Sequence, residues 1–113
     1  MEIMRFETKT RMSKAVIHGD TAYLCGQVGA GENITEQTKD MLSRVDNILA
    51  SIGSNKSKIL NATIYIKDMD LFSQMNDVWD TWVVEDCAPA RACVEASMAR
   101  DALLVEISII AAV

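Results

Sequence analysis

The stretch Ile59-Leu60-Asn61-Ala62-Thr63-Ile64-Tyr65-Ile66-Lys67 decides the architecture, because it alternates. Leu60, Ala62, Ile64 and Ile66 fall on one side, and Asn61, Thr63, Tyr65 and Lys67 on the other. That is the period of a strand with one buried face. On either side of it the period becomes helical. Upstream, Leu42, Val45, Ile48, Leu49 and Ile52 recur at helical spacing; Asn33 can cap that helix with Glu36 as capping-box partner, and Gly53 is a natural stop. Downstream, Asp70 stands where a second helix would be capped, ahead of the apolar stripe Phe72, Met75, Trp79, Trp82 and Val83. The two patterns predict helices of about 20 and about 14 residues.

Further out, Val16-Ile17 and Ala22-Tyr23-Leu24-Cys25 flank His18-Gly19-Asp20-Thr21, which reads as two short strands and a tight turn. Gly26, Gly29 and Gly31 suggest a flexible loop, and an extra strand fits near Ile3–Glu7. At the other end, Arg91–Met98 reads as a strand, Ala99-Arg100-Asp101 as a turn, and Leu103–Ala112 as a final strand. That last strand is apolar at nearly every residue, which suggests burial on both faces or at a subunit contact. The order β-β-α-β-α-β-β predicts an α/β (α+β) fold: a mixed sheet with both helices on one face. The bare face would be covered by self-association.

Half of the 113 residues are hydrophobic, enough for one core, so residues 1–113 are expected to form a single domain. Sixteen acidic residues against eleven basic ones leave a net charge of −5. That disfavours nucleic acid and membrane surfaces as partners, although a local basic patch within an oligomer is compatible with it. Residues 1–20 carry six charged side chains before Asp20 and no apolar signal core, and no stretch approaches a membrane span. Cys25, Cys87 and Cys93 are odd in number and make no disulfide framework, so a cytoplasmic location is expected.

Chemistry concentrates in Ala88-Pro89-Ala90-Arg91-Ala92-Cys93-Val94-Glu95, which holds the only proline. Arg91 enters a strand between small neighbours. It is either an edge or ion-paired arginine or a fork for a carboxylate. Glu106 lies within Val105-Glu106-Ile107-Ser108-Ile109. It either points outward, or pairs with Arg100, or is buried with a raised pKa as a general acid/base. If the last two strands form a hairpin, Arg91 and Glu106 can share a face, with Glu106 some ~13 Å along the strand. Cys93 is a small core residue or a contributor to a site through its backbone, and Cys25 ends a strand where side chains often reach a pocket. Asn76 could present an amide to a pocket or simply meet solvent. Gly26-Gln27-Val28-Gly29-Ala30-Gly31 fits neither a P-loop nor a dinucleotide fingerprint, and the single histidine, His18, leaves no zinc cluster.

In order and spacing, Gly19-Asp20, Cys25-Gly26-Gln27, Ile34-Thr35-Glu36-Gln37-Thr38, Asp68 with Phe72 and Asn76, Pro89-Ala90-Arg91-Ala92-Cys93-Val94-Glu95 and Val105-Glu106-Ile107 resemble the Rid family (RidA/YjgF, enamine/imine deaminases). The resemblance implies a chorismate-mutase-like fold and a homotrimer with a pocket at each subunit interface. It implies hydrolysis of reactive 2-imino and enamine acids, such as those from 2-aminoacrylate, to 2-oxo acids and ammonia, with no metal or organic cofactor. By the same resemblance Arg91 binds the substrate carboxylate, Glu106 positions the attacking water, and the Cys93 backbone and Asn76 line the pocket. So do Cys25 and Gly26, with Cys25 where many members have serine. Many members also carry Gly-Pro-Tyr before the first matched strand; here Arg11-Met12-Ser13-Lys14-Ala15 stands there, which implies a different pocket wall. Two alternatives follow: a non-catalytic binder of 2-oxo or amino acids, and a chaperone-like protein, suggested by seven methionines and the apolar last strand.

Overall fold

In a computed structural model that describes residues 1–113, six strands form one mixed sheet. They are β1 (Ile3–Phe6), β2 (Ala15–His18), β3 (Thr21–Val28), β4 (Ile59–Ile66), β5 (Ala90–Glu95) and β6 (Val105–Ala112), in spatial order β1-β2-β3-β6-β4-β5. The helices are α1 (Ile34–Ser51) and α2 (Phe72–Trp82). The extra N-terminal strand is therefore present. No helix is long and apolar enough to cross a membrane.

Strand β6 is inserted between β3 and β4 and runs antiparallel to both, whereas β5 pairs with β4 in parallel. The parallel pair needs a crossover, which α2 supplies. This corrects the hairpin expectation: β5 and β6 are not neighbours, because β4 lies between them.

The sheet face that carries the helices is set by register. Ile64 lies opposite Ile107 and Ile66 opposite Val105, all fully buried beneath the helices with Met41, Leu49 and Met75. Each such isoleucine contributes about 1.5–3 kcal/mol by leaving water. Trp82 Nε1 donates to Asp46 Oδ2 at 2.9 Å and ties α2 to α1. Gln37, buried on α1, ties that helix to the approach to β6. It donates to Gly31 O (3.1 Å) and Ala102 O (2.8 Å) and accepts from Leu104 N–H (2.9 Å).

Local departures have local causes. Leu60 is half-exposed and Ile59 takes the core position, because the β4–β6 register shifts between Ile59 and Asn61. Gly26 lies inside β3 rather than in a loop; the strand continues to Val28 past an irregularity between Leu24 and Gln27. Asn33 caps α1, accepting from Glu36 N–H at 2.9 Å, but the Glu36 carboxylate reaches Glu32 N–H at 3.0 Å instead of closing the box on Asn33. Asp68, not Asp70, makes the second cap. It accepts from Asp70 N–H at 2.8 Å and opens a short 3-10 turn, so α2 starts only at Phe72 and has 11 residues. Strand β5 ends at Glu95 rather than Met98, and β6 begins at Val105 rather than Leu103.

Candidate functional site

Arg91 is placed by β5. Its Cα partner on β4 is Ala62, and that of Cys93 is Ile64; both partners are fully buried under the helices. Residues in register share a face, so Arg91 and Cys93 are on the helix face of the edge strand. There the Arg91 guanidinium carbon stands 5.0 Å from the Trp79 ring centroid and 5.9 Å from that of Phe72. Phe72, Asn76 and Trp79 are four and three residues apart on α2 and share one helix face. Two rings thus hold the cation with Asn76 between them along the helix. Such contacts contribute about 0.5–2 kcal/mol each.

No carboxylate neutralises Arg91. The salt bridges are Lys14–Glu7 (3.3 Å) and Arg44–Asp40 (2.9 Å), both elsewhere. Arg91 Nη1 and Asn76 Oδ1 are buried and have no hydrogen-bond partner. A guanidinium nitrogen and an amide oxygen that are closed from water without a partner are both costly unless something supplies the match. Burial pushes the Cys93 thiol up from its ordinary 9.0, with the Arg91 charge acting the other way. At neutral pH this sulfur is a thiol and not a nucleophile.

Glu106 is elsewhere. It lies directly across from Tyr65 in the β4–β6 pair, on the sheet face opposite the helices. It points outward and half-buried, without an ion pair to Arg100. A cavity of about 210 Å³ there is lined by Tyr65, Ala96, Ser97, Met98, Glu106 and Ser108. Gly26 belongs to this half: a Cβ at Gly26 would run into Glu106 Oε2. A glycine inside a strand marks such a close approach. Within one chain Arg91 and Glu106 are therefore not brought together. They are two strands apart, about 10 Å, and three residues out of register, about another 10 Å, on opposite faces.

Cys25 lines a third region, a cavity of about 400 Å³ shared with the β1–β2 loop. Gln27 Nε2 donates to Cys25 Sγ (3.3 Å), Cys25 O (3.3 Å) and Gly26 O (3.2 Å), which fixes this end of the site. Gln27 and Phe72 enter the sequence reading only as points of the resemblance or of an apolar stripe, and the brace and the Phe72–Trp79 clamp they form are not read there. The signal for the clamp is there in retrospect: an arginine bound for a buried face needs either an anion or π-faces, and α2 supplies the latter. A cavity of about 410 Å³ around Lys67, Glu95 and Arg100 holds none of the predicted site residues. No group of three or more His, Cys, Asp or Glu is placed to hold a metal ion.

Comparisons with known proteins agree with this fold and show the family. Residues 2–113 match the sequence pattern of the family described as Endoribonuclease L-PSP. A RutC family protein of Haemophilus influenzae is 46% identical, with 98% of each chain covered. The RutC family protein YoaB of Escherichia coli is 43% identical over 100% of both chains. The crystal structure of a YjgF family member from Neisseria meningitidis superposes with a TM-score of 0.97 at 46% identity, covering 99% of this chain and 95% of the other.

Proposed function

This chain belongs to the Endoribonuclease L-PSP (YjgF/RutC) family, and from that premise we propose that it hydrolyses reactive 2-imino and enamine acids to 2-oxo acids and ammonia. One observation carries the proposal: Arg91 is a half-buried cation without a carboxylate, its Nη1 closed from water and unpartnered, beside a helix face whose Asn76 Oδ1 also lacks a partner. A 2-imino acid matches both needs, with a carboxylate for the guanidinium and an N–H for the amide oxygen. A charge-assisted contact to Arg91 would fix the substrate, and positioning is the main rate term for adding water.

The reaction balances without a cofactor. An enamine such as 2-aminoacrylate tautomerises to the imine, water adds to the imine carbon, and the carbon–nitrogen bond breaks. Nitrogen leaves as ammonia, and the carbonyl oxygen of the 2-oxo acid comes from the water. Glu106 is the group proposed to orient or deprotonate that water. It stands on the opposite sheet face from Arg91, so the site needs Arg91, Cys93 and Asn76 from one subunit and Cys25, Gly26 and Glu106 from its neighbour. A homotrimer supplies that arrangement cyclically. We place the activity in the cytoplasm, in keeping with three free thiols.

RNA cleavage, suggested by the family's description, has less support: the chain is acidic and its one histidine, His18, is exposed at a turn. The deciding experiment mixes the purified protein with freshly generated 2-aminoacrylate and follows ammonia. The wild type should accelerate release, and Arg91→Ala should lose about 100-fold or more, as expected when the positioning contact is removed. Undiminished release by Arg91→Ala overturns the assignment. Binding of 2-oxobutyrate without hydrolysis by the wild type makes the protein a carboxylate sensor on the same site.

A further inference from the structure

The β1–β2 loop deepens this reading by naming the substrate class, and it rests on the assignment of Cys25 to the site wall. Glu7, Lys9, Arg11, Met12 and Lys14 share one cavity of about 400 Å³ with Cys25. The loop is pinned: Lys9 N–H donates to Met12 O at 2.9 Å, Lys14 N–H to Phe6 O at 2.9 Å, and the Thr8 and Ser13 hydroxyls are 2.7 Å apart. At its base Cys25 N–H donates to Lys14 O at 3.0 Å, which ties the end of the loop to the site wall.

The charges within this cavity do not cancel. Lys14 is engaged by Glu7 at 3.3 Å, whereas Lys9 and Arg11 make no salt bridge. In a chain of net charge −5, two free cations held on a pinned loop over a cavity are a local reversal of the overall sign. We infer that Lys9 and Arg11 recognise a second negative charge, so that the preferred substrates are 2-imino acids with a side-chain carboxylate. The α-carboxylate goes to Arg91, and the distal carboxylate meets the cationic loop beside Cys25. An aromatic residue in this loop would favour uncharged side chains; Lys9 and Arg11 favour anionic ones.

The test is calorimetric titration of the intact oligomer with 2-oxoglutarate and 2-oxobutyrate. At low salt the dicarboxylate should bind about five-fold more tightly, the size expected of two solvent-exposed charge contacts. The ratio should fall toward one in the Lys9→Gln/Arg11→Gln double variant, and in the wild type at about 0.5 M salt, where such contacts are screened. Arg100→Gln, in the separate cavity beside Lys67, should leave the ratio unchanged. Equal wild-type affinities, a ratio that survives the double variant, or a ratio that collapses with Arg100→Gln each overturn the inference. Hydrolysis of 2-aminoacrylate together with equal affinities sinks this inference alone. A protein that binds neither ligand sinks both it and the proposed function.

Discussion

The two faces of the sheet use the same strands for different ends. Toward the helices, β4 and β6 present Ile64, Ile66, Val105 and Ile107, all closed from water, and the face is finished within one chain. Away from them, the same strands present Tyr65, Glu106 and Ser108, flanked by Tyr23 opposite Ile110 and by Val94 opposite Tyr65. Tyr23 and Val94 are each 46% exposed. Apolar side chains beside a cavity that holds a carboxylate are what an unfinished face looks like. Arg91 lies at the margin of the finished face and lacks an anion; Glu106 lies on the unfinished one. Under the proposed function each face carries half of a site, and a second copy of the chain would join the halves.

The sharpest way to break that comparison is to inactivate one half in each of two proteins. Arg91→Ala and Glu106→Gln should each be almost inactive alone. Refolded together at equal amounts, they should recover about a quarter of wild-type activity, since an interface site then draws both intact halves in one case of four. No recovery would mean that both residues serve sites within their own chain, and the two-face account would fall.

A smaller effect is expected at Gly26. The atom a Cβ would meet is the end of the flexible Glu106 side chain, not backbone. Gly26→Ala should therefore leave the melting temperature near that of the wild type while displacing the carboxylate from the water it is proposed to hold. A displacement of about 1 Å can lower turnover by about 100-fold. Gly29 is the control from the finished side. A Cβ there would strike the backbone of α1 at Gln37, so substitution strains the fold rather than the site. Full activity in Gly26→Ala would remove Glu106 from the reaction.

How far the sequence anticipates this follows the same division. Alternation and helical spacing report burial in one chain, and they predict both helices and the strand at 59–67, which ends at Ile66, because Ile64, Ile48 and Met75 are buried for local reasons. They do not report which strands pair. The order of β6 between β3 and β4 is a long-range choice, so a hairpin expectation built on sequence adjacency fails, and with it the shared face of Arg91 and Glu106. Asp70 is misread as a cap because Asp68, two residues earlier, competes for the same role with a tighter turn. The candidate site residues are named mainly through the family resemblance. A cation–aromatic clamp and a Gln27 brace have no sequence period.

The faintest effect reads the helix-face half directly. Native Cys93 holds its proton more tightly than an ordinary thiol, first because of burial and in spite of Arg91. The folded protein therefore binds more protons than the unfolded chain once pH exceeds the ordinary 9.0, and stability is full below that value and declines above it. Urea unfolding between pH 8 and pH 10 should show a steeper loss in the wild type than in Cys93→Ala. The Arg91 charge is the one influence favouring the thiolate, so a carboxylate bound to Arg91 cancels part of it. Saturating 2-oxobutyrate should then slow alkylation of Cys93 at pH 9 by a few-fold, through charge and cover together. Alkylation that speeds up with the ligand would mean that the carboxylate binds away from Arg91, and the finished face would then carry no part of the site.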